Sequence, residues 1–229
     1  GSFNFESENF IHNYETNITE KVNTNDLIFS SNPQITNSGF SNNYEFIIKN
    51  SNTNSQKSKL HKEGEEFYYS GLIQFNSSYP LIKEDEKNKK LLKSKLSFKY
   101  SPGHTKDISK NTFKLNVNNI FNLDRISSNE TLEGGLSLIY GADYILTEKK
   151  NKNEILSLKF ANNLRLDKND DLEKDNQLGA KTSNFFGEIK YSPLSFLTTR
   201  YNLSTKNNLT DINYQNLITE IKFSNFTTT

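Results

Sequence analysis

The sequence predicts an all-β chain, a partial antiparallel up-and-down transmembrane β-barrel of about 10–12 strands. Three observations lead to this fold class. Apolar and polar residues alternate with a period of two, the alternating runs are long, and the segments between them differ greatly in length. We interpret residues 1–229 as one segment of a larger barrel.

The alternation is clearest in the second half of the chain. In 136–146, Leu136, Leu138 and Tyr140 share one face, and Ser137 and Asp143 share the other. Strand residues that alternate in this way give a sheet one apolar and one polar face. The same period predicts strands at 156–166, 185–191, 197–203, 217–223, 44–48, 67–75 and 95–100, with two more within 10–30.

The predicted strands and connections have the dimensions of a membrane barrel. The strands run for about 9 to 13 residues, enough to cross a bilayer at a tilt, whereas strands of globular proteins average about five or six. Residues 191–195 read as a tight turn, while 50–64, 101–131 and 167–181 read as long polar loops. Short turns at one rim and long loops at the other are typical of outer-membrane barrels. A large soluble β-sandwich is the alternative, because its strands also alternate.

Composition supports a sheet with one apolar face. Hydrophobic residues make up 33% of the chain and the mean hydropathy is −0.77, yet 12% of the residues are aromatic, more than disordered segments carry. The net charge of +1 gives no basic footprint for nucleic acid. The absence of Cys excludes disulfides, thiolate metal sites and a Cys nucleophile. Because the chain opens on Gly1-Ser2 and lacks Met, we expect it to be an excised fragment.

No catalytic group, cofactor site or metal site is predicted, and we expect a protein that is not an enzyme. The three histidines lack ligand spacing, and His61 and His104 are expected to be plain solvated side chains in loops. The run from Asp167 to Asp171 matches the first positions of a calcium loop. The match fails at Leu172 and Leu178, where Gly and Glu are needed.

Residues 118–135 and the strand after them resemble the LptD family of lipopolysaccharide-assembly outer-membrane proteins, also called organic solvent tolerance proteins. The family often has a second Asp-Arg pair where this chain has Asn129-Glu130. Similar stretches lie at 77–81, 95–102, 191–194 and 200–203. The residues that carry the resemblance are Asn119, Phe121, Leu123, Asp124, Arg125, Glu133, Gly134, Gly135, Tyr140 and Gly141.

The resemblance implies a location, a cargo and partners. Proteins of this family form a barrel of about 26 strands in the bacterial cell outer membrane. They receive lipopolysaccharide from a periplasmic transport bridge, through an N-terminal jelly roll, and pass it to the outer leaflet. A lipoprotein similar to LptE plugs the barrel. By position, the chain is expected to be the middle-to-late part of that barrel, without the jelly roll and the gate strands, in contact with the membrane and with no nucleic-acid partner.

The resemblance also suggests roles for charged residues. The loop with Asp124 and Arg125 is expected to fold against neighbouring loops or the lumen, and we favour a stabilising ion pair without substrate contact. Possible lumen-facing cations, which would touch lipid phosphates or the plug or simply be solvated, are Lys159, Arg165, Lys190 and Arg200. Two other functions stay open: a different outer-membrane channel or porin, and a soluble secreted β-rich binding protein.

Overall fold

The computed structural model describes residues 1–14, 17–59, 61–207, 209–223 and 226–228. Within these ranges the regular structure consists of twelve β-strands. Their bounds are β1 Ser2–Tyr14, β2 Ile18–Ser30, β3 Gln34–Ile35, β4 Ser41–Gln56, β5 Gly64–Glu84, β6 Asn88–Ser101, β7 Gly135–Glu148, β8 Glu154–Arg165, β9 Phe185–Leu194, β10 Leu197–Thr205, β11 Ile212–Phe223 and β12 Phe226–Thr228.

The strands form one antiparallel sheet in which chain neighbours pair. The order is β1-β2-β4-β5-β6-β7-β8-β9-β10-β11-β12, and the short β3 pairs with β4 beside this path. The predicted all-β, up-and-down architecture is confirmed, as an open sheet consistent with part of a barrel. Among the described residues, no helix is long and apolar enough to cross a membrane.

One face of the sheet, which we call the outer face, carries rows of apolar side chains. Residues paired directly across antiparallel strands point to the same side of the sheet. One row is Phe3, Phe29, Phe46, Ile73, Tyr100 and Leu136. A second row is Leu81, Leu92, Tyr144, Leu158, Ile189, Tyr201 and Leu217. Many of these side chains are exposed, with Phe3 at 69% and Leu217 at 66%, so no segment within the described ranges covers this face.

The opposite, inner face is polar and largely covered. Glu45, Gln74, Lys99, Ser137 and Arg165 lie side by side from β4 to β8. All but Glu45 are buried, and the cover comes from the chain's own long connections.

Two long connections pack onto the inner face: 102–134, which we call the inner loop, and 166–184, the second loop. Apolar side chains of both loops join Ile139, Ala161 and Phe186 of the sheet in one core. The loop members of that core are Ile108, Leu115, Val117, Ile120, Ile126, Leu172 and Leu178. The expected long connections are therefore present, but their description as polar was incomplete, because their few apolar residues fold inward.

Hairpin connections alternate between two rims of the sheet. The loop rim holds 57–63, 102–134, 166–184 and 206–211. The turn rim holds 31–40, which contains β3, and the short connections 85–87, 149–153 and 195–196. The prediction of a long loop at 50–64 was wrong, since β4 continues to Gln56 and β5 begins at Gly64. The polar residues there pair across strands and bond through their side chains, which favours extended backbone.

Candidate functional site

Arg125 of the inner loop lies at the centre of a buried charge cluster. Its Nε and Nη2 donate to the two carboxylate oxygens of Glu133 at 2.7 and 2.6 Å, a bidentate geometry that strengthens an ion pair. Arg125 Nη2 also donates to Asn163 Oδ1 at 2.9 Å. Arg165 Nη1 lies 2.5 Å from Glu133 Oε1, and Arg165 donates to the carbonyl of Gly134. One carboxylate therefore fastens the inner loop to β8.

The cluster keeps Glu133 ionised. Burial alone would raise the pKa of Glu133, but the charge and hydrogen bonds of Arg125, with the charges of Lys99 and Arg165, lower that pKa to about 2. Lys99 Nζ donates to the carbonyls of Asn122 and Leu123 at 2.6 and 2.9 Å. The positive charges thus contact one carboxylate and several backbone oxygens of the inner loop.

Asp124 and Arg125, adjacent in sequence, enter different networks. Asp124 Oδ2 lies 3.7 Å from Lys49 Nζ, which also bonds Asp26 Oδ2 at 2.7 Å. Burial raises the pKa of Asp124, partly offset by Lys49 and Lys99. In this loop Arg125 pairs with Glu133, and Asp124 pairs with Lys49 of β4. That these pairs stabilise the loop without contacting substrate stays a prediction.

The other motif residues shape the loop and its seat on the sheet. Asn119 accepts from the backbone N–H of Asn116 and donates to the carbonyl of Lys114, both at 2.8 Å. Leu123 packs against the buried cluster of Ile47, Leu72 and Leu132. Phe121 lies below Lys95, whose Nζ is 4.6 Å from the ring centroid. These contacts hold residues 116–123 in a compact turn on the inner face of the sheet.

Three motif glycines allow close approach between loop and sheet. A Cβ on Gly141 would meet the Phe160 carbonyl and, at 3.2 Å, the Phe121 ring. Gly134 is buried against the Gly103 carbonyl, and Gly135 has a φ of +91°, a conformation that favours glycine. Tyr140, the remaining motif residue, lies in register with Leu96 on the outer face.

Sequence reasoning missed two sheet residues that bind the inner loop. Tyr68 Oη accepts from the Leu132 N–H at 3.1 Å and donates to the His104 carbonyl at 3.0 Å. Gln74 Nε2 donates to the Phe121 carbonyl at 2.7 Å. Their position on the inner face follows from alternation, but their loop partners leave no signal in the sequence.

The four cations suggested as lumen-facing all lie on the inner face, and each faces a carboxylate. Arg165 bonds Glu133 as described. Lys159 Nζ is 2.9 Å from Glu188 Oε1, and Lys190 Nζ is 3.2 Å from Glu154 Oε1. Arg200 Nε lies 3.9 Å from Glu188 Oε2. Contact of any of them with lipid phosphate or a plug stays a prediction.

The histidines converge although they are far apart in sequence. His12, His61 and His104 line one cavity of 690 Å³ between the inner loop, the connection 57–63 and strands β1, β2 and β5. His104 is exposed as expected, but the side chain of His61 is only 8% exposed, and its Nδ1 lies 3.3 Å from Glu130 Oε1. The expectation of a solvated His61 was wrong, because the inner loop folds over it.

No group of three or more His, Cys, Asp or Glu side chains within the described ranges is placed to hold a metal ion. The calcium-like run instead links the two long loops. Asn169 Nδ2 donates to Thr105 Oγ1 at 3.0 Å, and the Asp171 carbonyl accepts from the Ile108 N–H at 2.8 Å. In this site, the inner loop and the second loop bind to the inner face of the sheet through non-covalent contacts.

The family model LptD, described as LPS transport system D, matches residues 106–228. This range is more than half of the chain and contains all ten motif residues, 119–141. No curated protein matches the chain.

Proposed function

The chain belongs to the LptD family, LPS transport system D, and from this premise we propose that it is part of the wall of the outer-membrane translocon that inserts lipopolysaccharide into the outer leaflet. The family is an outer-membrane transport family, which favours this function over a porin or a soluble secreted binding protein. The work proposed is non-covalent: binding and passage of an amphipathic lipid.

The observation that carries the proposal is the separation of the two faces of the sheet. The outer face shows uncovered apolar rows, which suit the hydrocarbon of a bilayer, and the inner face is polar. Strands with this pattern and long connections at one rim are typical of outer-membrane barrels. By the same principle the loop rim faces the cell exterior and the turn rim faces the periplasm. The inner loop then occupies the exterior end of the lumen.

The two unpaired edges of the open sheet indicate that it has further strands as partners. Strands β1 and β12 each pair on one side only, and an unpaired edge within lipid leaves backbone groups unsatisfied. We propose that further strands of the same barrel cover both edges. The remaining partners are lipopolysaccharide, a lipoprotein plug similar to LptE in the lumen, and a periplasmic bridge reached through an N-terminal domain.

The inner cations fit a wall better than a phosphate-binding site. Arg165, Lys159 and Lys190 each lie within 3.2 Å of a carboxylate oxygen, so a lipid phosphate would have to compete with a formed ion pair. We propose that passing lipid meets a nearly charge-balanced inner surface.

The experiment is depletion of the protein in its own bacterium, followed by labelling of newly made lipopolysaccharide at the cell surface. The proposal expects surface label to fall while lipopolysaccharide accumulates inside the cell. Membrane fractionation of the same cells is expected to place the protein in the outer membrane. Unchanged surface label, or recovery of the protein in the soluble fraction, would contradict the proposal.

A further inference from the structure

On the outer face of β1, β2, β4 and β5, the side chains change from apolar to polar towards the loop rim. Nearest the turn rim it is apolar, with Phe5, Leu27 and Ile48 in one row. The next row towards the loop rim is Ser7, Asn25, Asn50 and Tyr69, and the row beyond is Asn9, Asn23, Asn52 and Phe67. Two polar rows, each ending on an aromatic ring, therefore extend the apolar face.

The amides in these rows form a connected ladder, which we call the asparagine ladder: Asn9, Asn23, Asn25, Asn50 and Asn52. Asn23 donates to Asn9, and Asn25 donates to Asn23 Oδ1 at 2.7 Å. Asn52 donates to Asn50 Oδ1 at 2.9 Å. Each amide has two N–H donors and two acceptor lone pairs, so the ladder holds the side chains in place and leaves hydrogen-bonding capacity towards solvent.

A groove of 380 Å³ crosses the ladder, with Asn9, Asn23, Asn52 and Phe67 among its lining residues. Phe67 is 78% exposed and Tyr69 is 72% exposed. The lining also includes one cation, Lys21, and two anions, Glu65 and Glu66; Glu66 Oε2 lies 3.1 Å from Lys106 Nζ of the inner loop. The lining thus carries no excess of positive charge, and its amides lie beside the exposed ring of Phe67.

We propose that this groove binds the saccharide part of lipopolysaccharide in the outer leaflet. Sugar hydroxyl groups both donate and accept hydrogen bonds, as amides do, and the C–H faces of sugar rings pack on aromatic rings. The lack of excess positive charge disfavours a phosphate, which would require an excess of cations.

The location of the groove also favours the saccharide part of lipopolysaccharide. The ladder continues the outer face directly from the apolar rows, on the side of the loop rim. A lipopolysaccharide molecule whose acyl chains pack on the apolar rows has its saccharide beside the ladder. This step rests on the proposed function, since it takes the apolar rows to face lipid and the loop rim to face the exterior.

The test uses the absence of Trp from the chain. Phe67→Trp places a single fluorescent reporter in the groove, and Leu81→Trp places one on the same strand and face near the turn rim. Each protein, folded in detergent, is titrated with lipid-free core oligosaccharide released from lipopolysaccharide. The proposal expects a saturable change in the emission of Phe67→Trp and none in that of Leu81→Trp.

A second variant tests the amides. Asn52→Ser in the Phe67→Trp protein is expected to weaken oligosaccharide binding about three- to tenfold, the effect of losing one or two hydrogen bonds. Asn42→Ser, on the same strand and face at the opposite rim, is the control and should leave binding unchanged.

Three outcomes overturn the proposal: no saturable response, equal responses from both reporters, or emission that follows protein concentration instead of oligosaccharide. The last would mean that the ladder pairs with a second copy of the chain. The titration involves neither lipid nor transport. Failure here with normal delivery of lipopolysaccharide to the cell surface would therefore reject the saccharide groove alone, and loss of the transport function would be seen only in the depletion experiment.

Discussion

Arg125 and Glu133, eight residues apart in one loop, form a bidentate ion pair whose side chains are 0% and 3% exposed. The same carboxylate holds Arg165 of the sheet. A buried carboxylate shared by two guanidinium groups ties the inner loop to the wall, and four testable consequences come from this loop and its contacts.

The first prediction is that Glu133→Gln destabilises the fold strongly. The substitution leaves Arg125 and Arg165 buried without a counter-charge, and breaking a buried pair in this way costs about 3–5 kcal/mol. Urea unfolding in detergent, followed by circular dichroism, measures the change. Glu84→Gln is the control, because Glu84 pairs with Lys149 at an exposed rim, and no measurable change is expected there. Equal stability of the two variants would disprove the role of Glu133.

The second prediction concerns acid. The pKa of Glu133 is lowered to about 2 from 4.5, so its ionised form stabilises the folded state. That contribution is complete above pH 4.5 and is lost as the pH falls towards 2. Asp124 acts with the opposite sign, because burial raises its pKa and protonation relieves the cost of its charge. Unfolding free energies measured across this window should fall for the wild type and much less for Glu133→Gln; parallel curves would contradict the assignment.

The third prediction is that Tyr68→Phe loosens the inner loop. The Tyr68 hydroxyl accepts from the Leu132 N–H and donates to the His104 carbonyl. Its removal leaves buried loop groups unsatisfied, at a cost of about 1–3 kcal/mol. Limited proteolysis should cut within 102–134 faster in this variant. Tyr69→Phe, the exposed neighbour on the outer face, is the matched control, and similar cleavage of both would argue against the contact.

The fourth prediction is that Gly141→Ala disturbs the seat of the loop. Its Cβ would press on the Phe160 carbonyl and the Phe121 ring, and overpacking of this kind costs about 1–3 kcal/mol. A Cβ on Gly187 meets its nearest neighbour only at 4.0 Å, so Gly187→Ala should be neutral. Thermal unfolding in detergent compares the two, and a neutral Gly141→Ala would show that the close approach is unnecessary.

Alternation along the chain predicted ten of the twelve described strands, all but the short β3 and β12, and the two sides of the sheet. In β8, for example, Leu158 lies outside, and Lys159 and Arg165 lie inside, as the period of two requires. Contacts between loops that are distant in sequence produce no periodic pattern of residues. Alternation therefore predicts neither the contact of His61 with the inner loop nor the strand at the Asn-rich residues 50–56. Side-chain bonds across strands, which need the register, make them a strand.

The central claim is that one face of this sheet meets lipid and the other meets the lumen of a transport barrel. The most direct test attaches a spin label at Leu158→Cys and, separately, at Lys159→Cys, whose side chain on the inner face is partly exposed, in the protein reconstituted in lipid. This is possible because the chain has no Cys of its own. Collision with oxygen reports lipid, and collision with a water-soluble nickel chelate reports water. The account predicts high oxygen and low nickel accessibility at Leu158→Cys only. Equal accessibility of both sites to the nickel chelate would contradict it.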